Sequence, residues 1–359
     1  MRNTFIARYG VALIAAAILA ACSGNQSVTP PTTPFSPQAA RPIGNAAHQP
    51  QVITVTGENL ALARTLRFGK PRIMYPPFKN PFANAVRPQT PGYPMDMSCP
   101  FPIGGYSSGT CTTMPSATAY NVYVSPNGKK CTNESCWGQP EEFLKKLTGT
   151  KFAGLITQYT GGPASGYTYG GSVAVNYPLN YVHVIYGNDI GNILAAAIGH
   201  FGQAGVTNEY HLFLPPGYDT CFDETNVCYS PDNLASFGFC AYHSFAYVPA
   251  LKNYVVFSIE PWAGAKYTYK GHKYWACANS SPTAPPGTRN FQASVLAHEA
   301  FESWSDPIQT PAASGNLNYY GMEIGDVCAY RFFTNVGSGS NAFNVQTMYS
   351  NAAHACNNK

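Results

Sequence analysis

The residues best equipped for chemistry lie in Ser294-Val-Leu-Ala-His-Glu-Ala-Phe-Glu-Ser-Trp-Ser-Asp-Pro307 and, a little further on, in Glu323-Ile-Gly-Asp-Val-Cys328. His298 and Glu302 are four apart, so on a helix they stack on one face, with Glu299 about a quarter-turn round. Between Asn290 and Tyr330 stand five acids (Glu299, Glu302, Asp306, Glu323, Asp326) and no Lys or Arg. The chain has 17 Asp and Glu in all, so nearly a third of them sit here without a basic partner. Partly buried carboxylates without counter-charge are costly, and they pair, protonate or bind a cation. A solvated His–Glu pair is the plain alternative, but the apolar flanks on both sides argue for a divalent metal.

His298-Glu299-x-x-Glu302 has the shape of the zinc-peptidase His-Glu-x-x-His helix, with Glu in place of the second His. In that helix the i and i+4 side chains hold the metal, and the intervening Glu takes a proton from the attacking water. The expected ligands are therefore His298, Glu302 and Glu323, the last lying 21 residues after Glu302. Glu299 is the expected general base. Asp326 suits a role holding the His298 ring, and Asp306 is a rival ligand on roughly the same helix face. Two carboxylates on one ion lower its Lewis acidity and widen the choice from Zn towards Mn or Ca. The helix thus admits two readings, a metallopeptidase-like hydrolase or a non-catalytic, metal-stabilised binding domain of the cell envelope.

His-Glu-x-x-Glu-x-x-Ser-Asp-Pro followed by Glu-Ile-Gly-Asp-x-Cys resembles the phosphate-induced protein conserved region of plant EXORDIUM proteins and their bacterial relatives. Tyr210-His-Leu-Phe-Leu-Pro215, Cys221-Phe-Asp, Phe239-Cys-Ala-Tyr-His243 and the closing Val345-Gln…Ser350-Asn…Ala355-Cys356 are similar to the bacterial branch. The resemblance covers roughly 118 to 356. It implies a secreted, zincin-like domain and supplies no substrate.

The elements that must position these residues follow from the chain in order. Arg2 and Arg8 precede the apolar run Val11–Ala20, and Leu19-Ala-Ala-Cys22 resembles a lipobox, so residues 1–21 read as an export signal and Cys22 as the lipidated first residue. Ser23 rather than Asp after it allows transport onward to the outer membrane. Residues 22–95 read as a Pro-rich tether and irregular arm, although Gln51–Thr56 has strand character. Residues 96–359 read as one disulfide-stabilised α+β (or α/β) domain with a mixed sheet. Strands are expected at Tyr120–Val124, Phe152–Tyr159, Tyr181–Tyr186, Glu209–Leu214 and Tyr254–Ile259. Helices are expected at Pro140–Leu147, from an Asp189 cap to Ile198, and through the His298 segment up to Pro307.

Setting aside Cys22, the 11 cysteines leave an even ten, which suits an oxidising compartment. Connectivity does not follow from the sequence, but short separations make Cys99–Cys111, Cys131–Cys136 and Cys221–Cys228 plausible, and Cys240–Cys277 and Cys328–Cys356 would complete the set. No C-x2-C pair occurs, which removes a zinc ribbon. The net charge of +4 falls to +2 without Arg2 and Arg8, which gives no reason to expect nucleic acid. A monomer held to the membrane only by its lipid is expected, with a peptide or cell-wall polymer as substrate.

Other features carry less. Gly105-Tyr-Ser-Ser-Gly109 matches G-x-S-x-G but lacks the flanking strand and helix and reads as a loop. Gly161–Gly171 reads as a connector, with a lid the alternative. His183, His211 and His243 read as core or surface histidines before ligands. Tyr319, Tyr320 and Tyr330 are candidate oxyanion donors by proximity in sequence, and Glu209–Leu214 is a candidate edge strand for an extended peptide.

Overall fold

Period-2 alternation builds the middle of the molecule, because successive strand residues face opposite sides of a sheet. The computed structural model describes residues 49–76, 79, 95–99, 110–179, 183–185, 188–222, 227–277, 288–308, 313–318, 321–330 and 333–358. Its main sheet has eight strands: β1 (Gln51–Thr54), β2 (Arg67–Phe68), β3 (Arg72–Met74), β4 (Ala117–Ser125), β5 (Tyr167–Asn176), β6 (Asn208–Phe213), β7 (Ala241–Val248) and β8 (Asn253–Glu260). Their order is β1-β5-β4-β6-β8-β7-β2, with β3 also pairing β7. The strands from β1 to β8 in that order are parallel neighbours, whereas β7 runs antiparallel to β8, β2 and β3. The protein is thus a mixed-sheet α+β structure.

Six α-helices are described: α1 (Gly57–Ala63), α2 (Pro140–Leu147), α3 (Lys151–Gly154), α4 (Thr157–Thr160), α5 (Asp189–Phe201) and α6 (Thr288–Ser305). Two buried clusters divide the core between the sheet's faces. Val122, Val124, Leu212 and Phe257 pack with Ile193, Leu194 and Ala197 of α5. Tyr123, Phe213 and Val256 face the other way, with Leu296, Ala300 and Phe301 of α6. Five disulfides join Cys99–Cys111, Cys131–Cys136, Cys221–Cys228, Cys240–Cys277 and Cys328–Cys356, the pairing that the sequence makes plausible.

Several sequence expectations need correcting. Residues 51–74 are not an arm beside the domain, since β1, β2 and β3 complete the sheet on both edges. Phe152–Tyr159 is not a strand but the short helices α3 and α4. Its buried residues Phe152, Leu155, Ile156 and Tyr159 recur at helical spacing, and the Thr150 side chain accepts from Ala153 N–H as a cap. Gly161–Gly171 is only partly a connector, because β5 begins at Tyr167. There the glycines serve close approach rather than motion: a Cβ on Gly170 would lie 2.5 Å from Thr118 Cγ2 and 2.6 Å from the Tyr120 ring. β6 is an interior strand between β4 and β8, so Glu209–Leu214 cannot pair an incoming peptide. Asn188, not Asp189, occupies the N-cap of α5 without a side-chain bond, and Asp189 Oδ1 instead accepts from the Tyr177 hydroxyl at 2.7 Å. The strand expected at Tyr181–Tyr186 is seen at His183–Ile185, in a small separate sheet. The export signal, Cys22, the tether up to residue 48, Gly105–Gly109, Tyr319, Tyr320 and the His183 ring lie outside the described residues. No described helix is long and apolar enough to cross a membrane.

Candidate metal centre

α6 is buried on nearly every side: from Phe291 to Ser305 only Ser294 is partly exposed. A helix enclosed all round must bury whatever polar groups it carries, so His298, Glu299 and Glu302 are each 0% exposed. The sheet face beneath is itself polar along one row. Asn121 of β4 pairs with His211 of β6, His211 with Ser258 of β8, Ser258 with His243 of β7, and His243 with Arg72 of β3. The loop carrying Glu323 and Asp326 closes the third side, and Gln346 from the strand Phe343–Gln346 closes the fourth.

Glu302 sits at the middle of this cage. Its Oε1 lies 3.1 Å from His298 Nε2 and accepts from Asp326 N–H at 2.9 Å, while its Oε2 lies 3.7 Å from His243 Nδ1. Asp326 Oδ1 is 3.8 Å from His298 Nε2. On the other side His243 Nδ1 is 3.3 Å from Glu299 Oε2, and its Nε2 is 3.3 Å from Glu323 Oε1. Among the described residues, two sets offer three ligand atoms all within 4.8 Å of one another: His298, Glu302 and Asp326, and His243, Glu299 and Glu302. Five of the facing atoms, His298 Nε2, His243 Nε2, Glu299 Oε1, Glu302 Oε2 and Glu323 Oε1, are buried without any hydrogen-bond partner. Unsatisfied groups in such number are rare in folded proteins, and bound cations are a common way to satisfy buried carboxylate and imidazole atoms of this kind.

The electrostatics have the same cause. Burial pushes Glu302 and Asp326 well above the usual carboxylate range, with their acidic neighbours adding to it, and burial also raises Glu299 against the pull of His243. Burial opposes charge on His243, yet Glu323 and Glu299 outweigh it and hold the ring well above the usual histidine value. For Glu323 burial acts upward, but His243 and then Arg72 bring it below its ordinary value. Without a metal, then, the cage keeps its charge low with protons and one His243–Glu323 ion pair. Metal binding would displace those protons.

The space for this arrangement depends on Gly325. Its φ of −76° is ordinary for any residue, but a Cβ there would lie 2.7 Å from Glu302 Oε1 and 2.8 Å from His298 Nδ1. The glycine is required by the two side chains behind it.

A second buried polar group adjoins the cage. His211 Nδ1 meets Ser258 Oγ at 2.7 Å, Ser258 donates to Glu260 Oε1 at 2.8 Å, and Trp304 Nε1 donates to Glu209 Oε2 at 2.8 Å. Burial raises Glu209 to about 8 and lowers His211 to about 3, so both are neutral near pH 7.

Of the residues named from sequence, His298, Glu299, Glu302, Glu323 and Asp326 all come together. Asp326 rather than Glu323 belongs with His298 and Glu302, and Glu323 reaches the cage through His243. Asp306 turns aside, its Oδ1 accepting from Gly315 N–H at 2.6 Å. Tyr330 donates to the Tyr75 carbonyl at 2.9 Å, which removes it as an oxyanion donor in this arrangement. His243, Arg72 and Gln346 were not placed in the centre by sequence reasoning. Arg72 also supplies the basic partner that residues 290–330 lack, and it bears on both Glu323 and Asp306. One signal was present: Glu209/His211 and Ser258/Glu260 each place two polar residues two apart in otherwise apolar strands, marking a polar sheet face. No family model, curated protein or solved structure matches the chain.

Proposed function

We propose that the chain is an exported, metal-dependent hydrolase of the peptidase type, with its ion held by His298, Glu302 and Asp326. The observation that carries this reading is the set of partnerless ligand atoms on a buried helix, with Glu299 beside them. A divalent ion bound there would polarise a substrate carbonyl as a Lewis acid. Glu299 Oε1, free of any partner, is the group to take the proton of the attacking water, while His243 Nδ1 fixes its other oxygen at 3.3 Å. The resemblance to EXORDIUM-related proteins and a zincin-like architecture belong to the same proposal, as do Zn, with Mn or Ca as alternatives, and a peptide or cell-wall polymer as substrate. Five disulfides are compatible with an extracytoplasmic location. Anchoring through a lipidated Cys22, at the outer membrane, is proposed with it; mass spectrometry should find the mature N-terminus acylated at Cys22, and an unmodified thiol there would refute the anchor.

Burial favours a second reading. His298, Glu299 and Glu302 are fully enclosed and Glu323 is only 2% exposed, as suits a metal that stabilises a binding module without turnover. Glu299→Gln separates the two, since it keeps size and hydrogen bonding but removes the base. Turnover of an unstructured protein that falls at least a hundredfold in Glu299→Gln, at unchanged metal content, supports the hydrolase. Turnover that survives the substitution overturns the mechanism, and no turnover by the wild type on peptides or glycans supports the binding module.

A further inference from the structure

We propose that the centre takes two divalent cations, bridged by the Glu302 carboxylate. The inference rests on the metal reading of the site but not on hydrolysis. The two oxygens of Glu302 face different partners: Oε1 faces His298 and Oε2 faces His243. Each oxygen therefore belongs to its own set, one completed by Asp326 and the other by Glu299. Carboxylates shared in this way hold ion pairs about 3.5–4 Å apart in two-metal hydrolases.

The second set is more than a cluster of acids. Glu302 Oε2 and Glu299 Oε1 are buried without a hydrogen-bond partner, and Glu299, Glu302 and His243 are each at most 1% exposed. An ion on His298, Glu302 Oε1 and Asp326 leaves the other set as it is. The ring of His243 is also arranged for coordination. Its Nδ1 faces Glu299 Oε2 at 3.3 Å and Glu302 Oε2 at 3.7 Å, and as a ligand it would give up the proton it shares there, leaving the Nε2 proton towards Glu323 Oε1, 3.3 Å away. A carboxylate holding the far nitrogen of a metal-binding imidazole is a recurrent arrangement that fixes the tautomer and raises ligand basicity. It gives Glu323 a role that neither three-residue set contains.

Charge selects the number of ions. Glu299, Glu302, Glu323 and Asp326 carry four negative charges when ionised, and the two histidines are neutral as ligands. One divalent ion cancels half of that charge; two cancel it, with partly buried Arg72 beyond Glu323. Loading of the second set engages Glu299 through Oε2 and leaves Oε1 for a proton.

The test is metal stoichiometry on the full mature chain, stripped with a chelator and titrated with Mn2+ alone. Two equivalents per chain are expected, with the electron paramagnetic resonance spectrum of an exchange-coupled Mn pair, a readout that needs no variant. His243→Ala should bind one equivalent and lose the coupling. Glu323→Gln, which preserves shape, should weaken the second equivalent about 10–100-fold and leave the first unchanged. One uncoupled equivalent in the wild type would overturn the second ion and leave the metal centre standing. No bound Mn2+ at all, repeated with Zn2+, would overturn both.

Discussion

At the scale of single residues, Gln346 decides which nitrogen of His298 is free. Its amide lies 2.9 Å from Nδ1 and 3.2 Å from the Gly325 carbonyl. With the amide nitrogen donating to Nδ1, the ring proton sits on Nε2 and faces Glu302. Coordination needs Nε2 bare, which the amide supports by presenting Oε1, an atom now buried without a partner, to a protonated Nδ1. Gln346→Leu should lower metal affinity about 10–100-fold, measured by competition with a chromogenic chelator, and Gln346→Glu should restore it. Glu209 carries a prediction about pH. Its folded pKa of about 8 exceeds the usual 4.5 because burial disfavours the charge, with Glu299 adding to the rise and Trp304 and His243 opposing it. A raised carboxyl contributes stability that is intact below its unfolded pKa and lost as pH rises through the folded one. Melting of the metal-free protein between pH 5 and 9 should show wild type losing stability towards pH 9 relative to Glu209→Gln. Parallel profiles would refute the assignment. His298, Glu299 and Glu302 were legible in the sequence because one helix carries them at a diagnostic spacing. His243 was not, because a histidine in an apolar strand looks alike whether it faces a core or a carboxylate 56 positions away.

At the scale of elements, the turn at Gly325 lets the Glu323–Cys328 loop lie directly against α6. Gly325→Ala should keep the fold, since the backbone there suits alanine, yet push a methyl onto His298 and Glu302. Circular dichroism should be unchanged while bound metal falls at least tenfold; full metal retention would show that the loop can shift. α6 itself depends on its aromatic seat. Trp304 stacks on Tyr167 at 4.2 Å, packs on Phe301 at 5.0 Å and donates to Glu209. Trp304→Ala should cost about 3–5 kcal/mol in chemical denaturation. Helix α6 was readable from its apolar spacing and Pro307. Strand β5 and the Phe152–Tyr159 helices were harder, because glycines required for close approach resemble a flexible linker, and a short apolar run fits either period. The strand character of Gln51–Thr56 was legible and is realised as β1, whereas β2 and β3 run for two and three residues, too few to show a pattern among prolines.

At the scale of the whole molecule, two disulfides flank the centre. Cys240 lies three residues before His243 and Cys328 two after Asp326. Reduction should release metal as well as stability, each lost bridge costing about 2–5 kcal/mol. Thiol titration of the denatured, unreduced chain should find almost none among the ten paired cysteines. The pairing was legible as a plausible set because most partners are near in sequence, whereas the sheet order was not, since its parallel neighbours are distant and leave no local mark. That order has a consequence for timing. Arg72, His243, Glu302 and Gln346 meet only when β3 pairs with β7 in the main sheet and the separate Phe343–Gln346 strand closes on α6 from the far end of the chain. Contacts of such long reach form late and slowly in folding. The cage therefore closes after synthesis has passed Gln346, and an ion bound there by an exported chain would be chosen by the compartment in which the chain finishes folding, not by the one in which it was made.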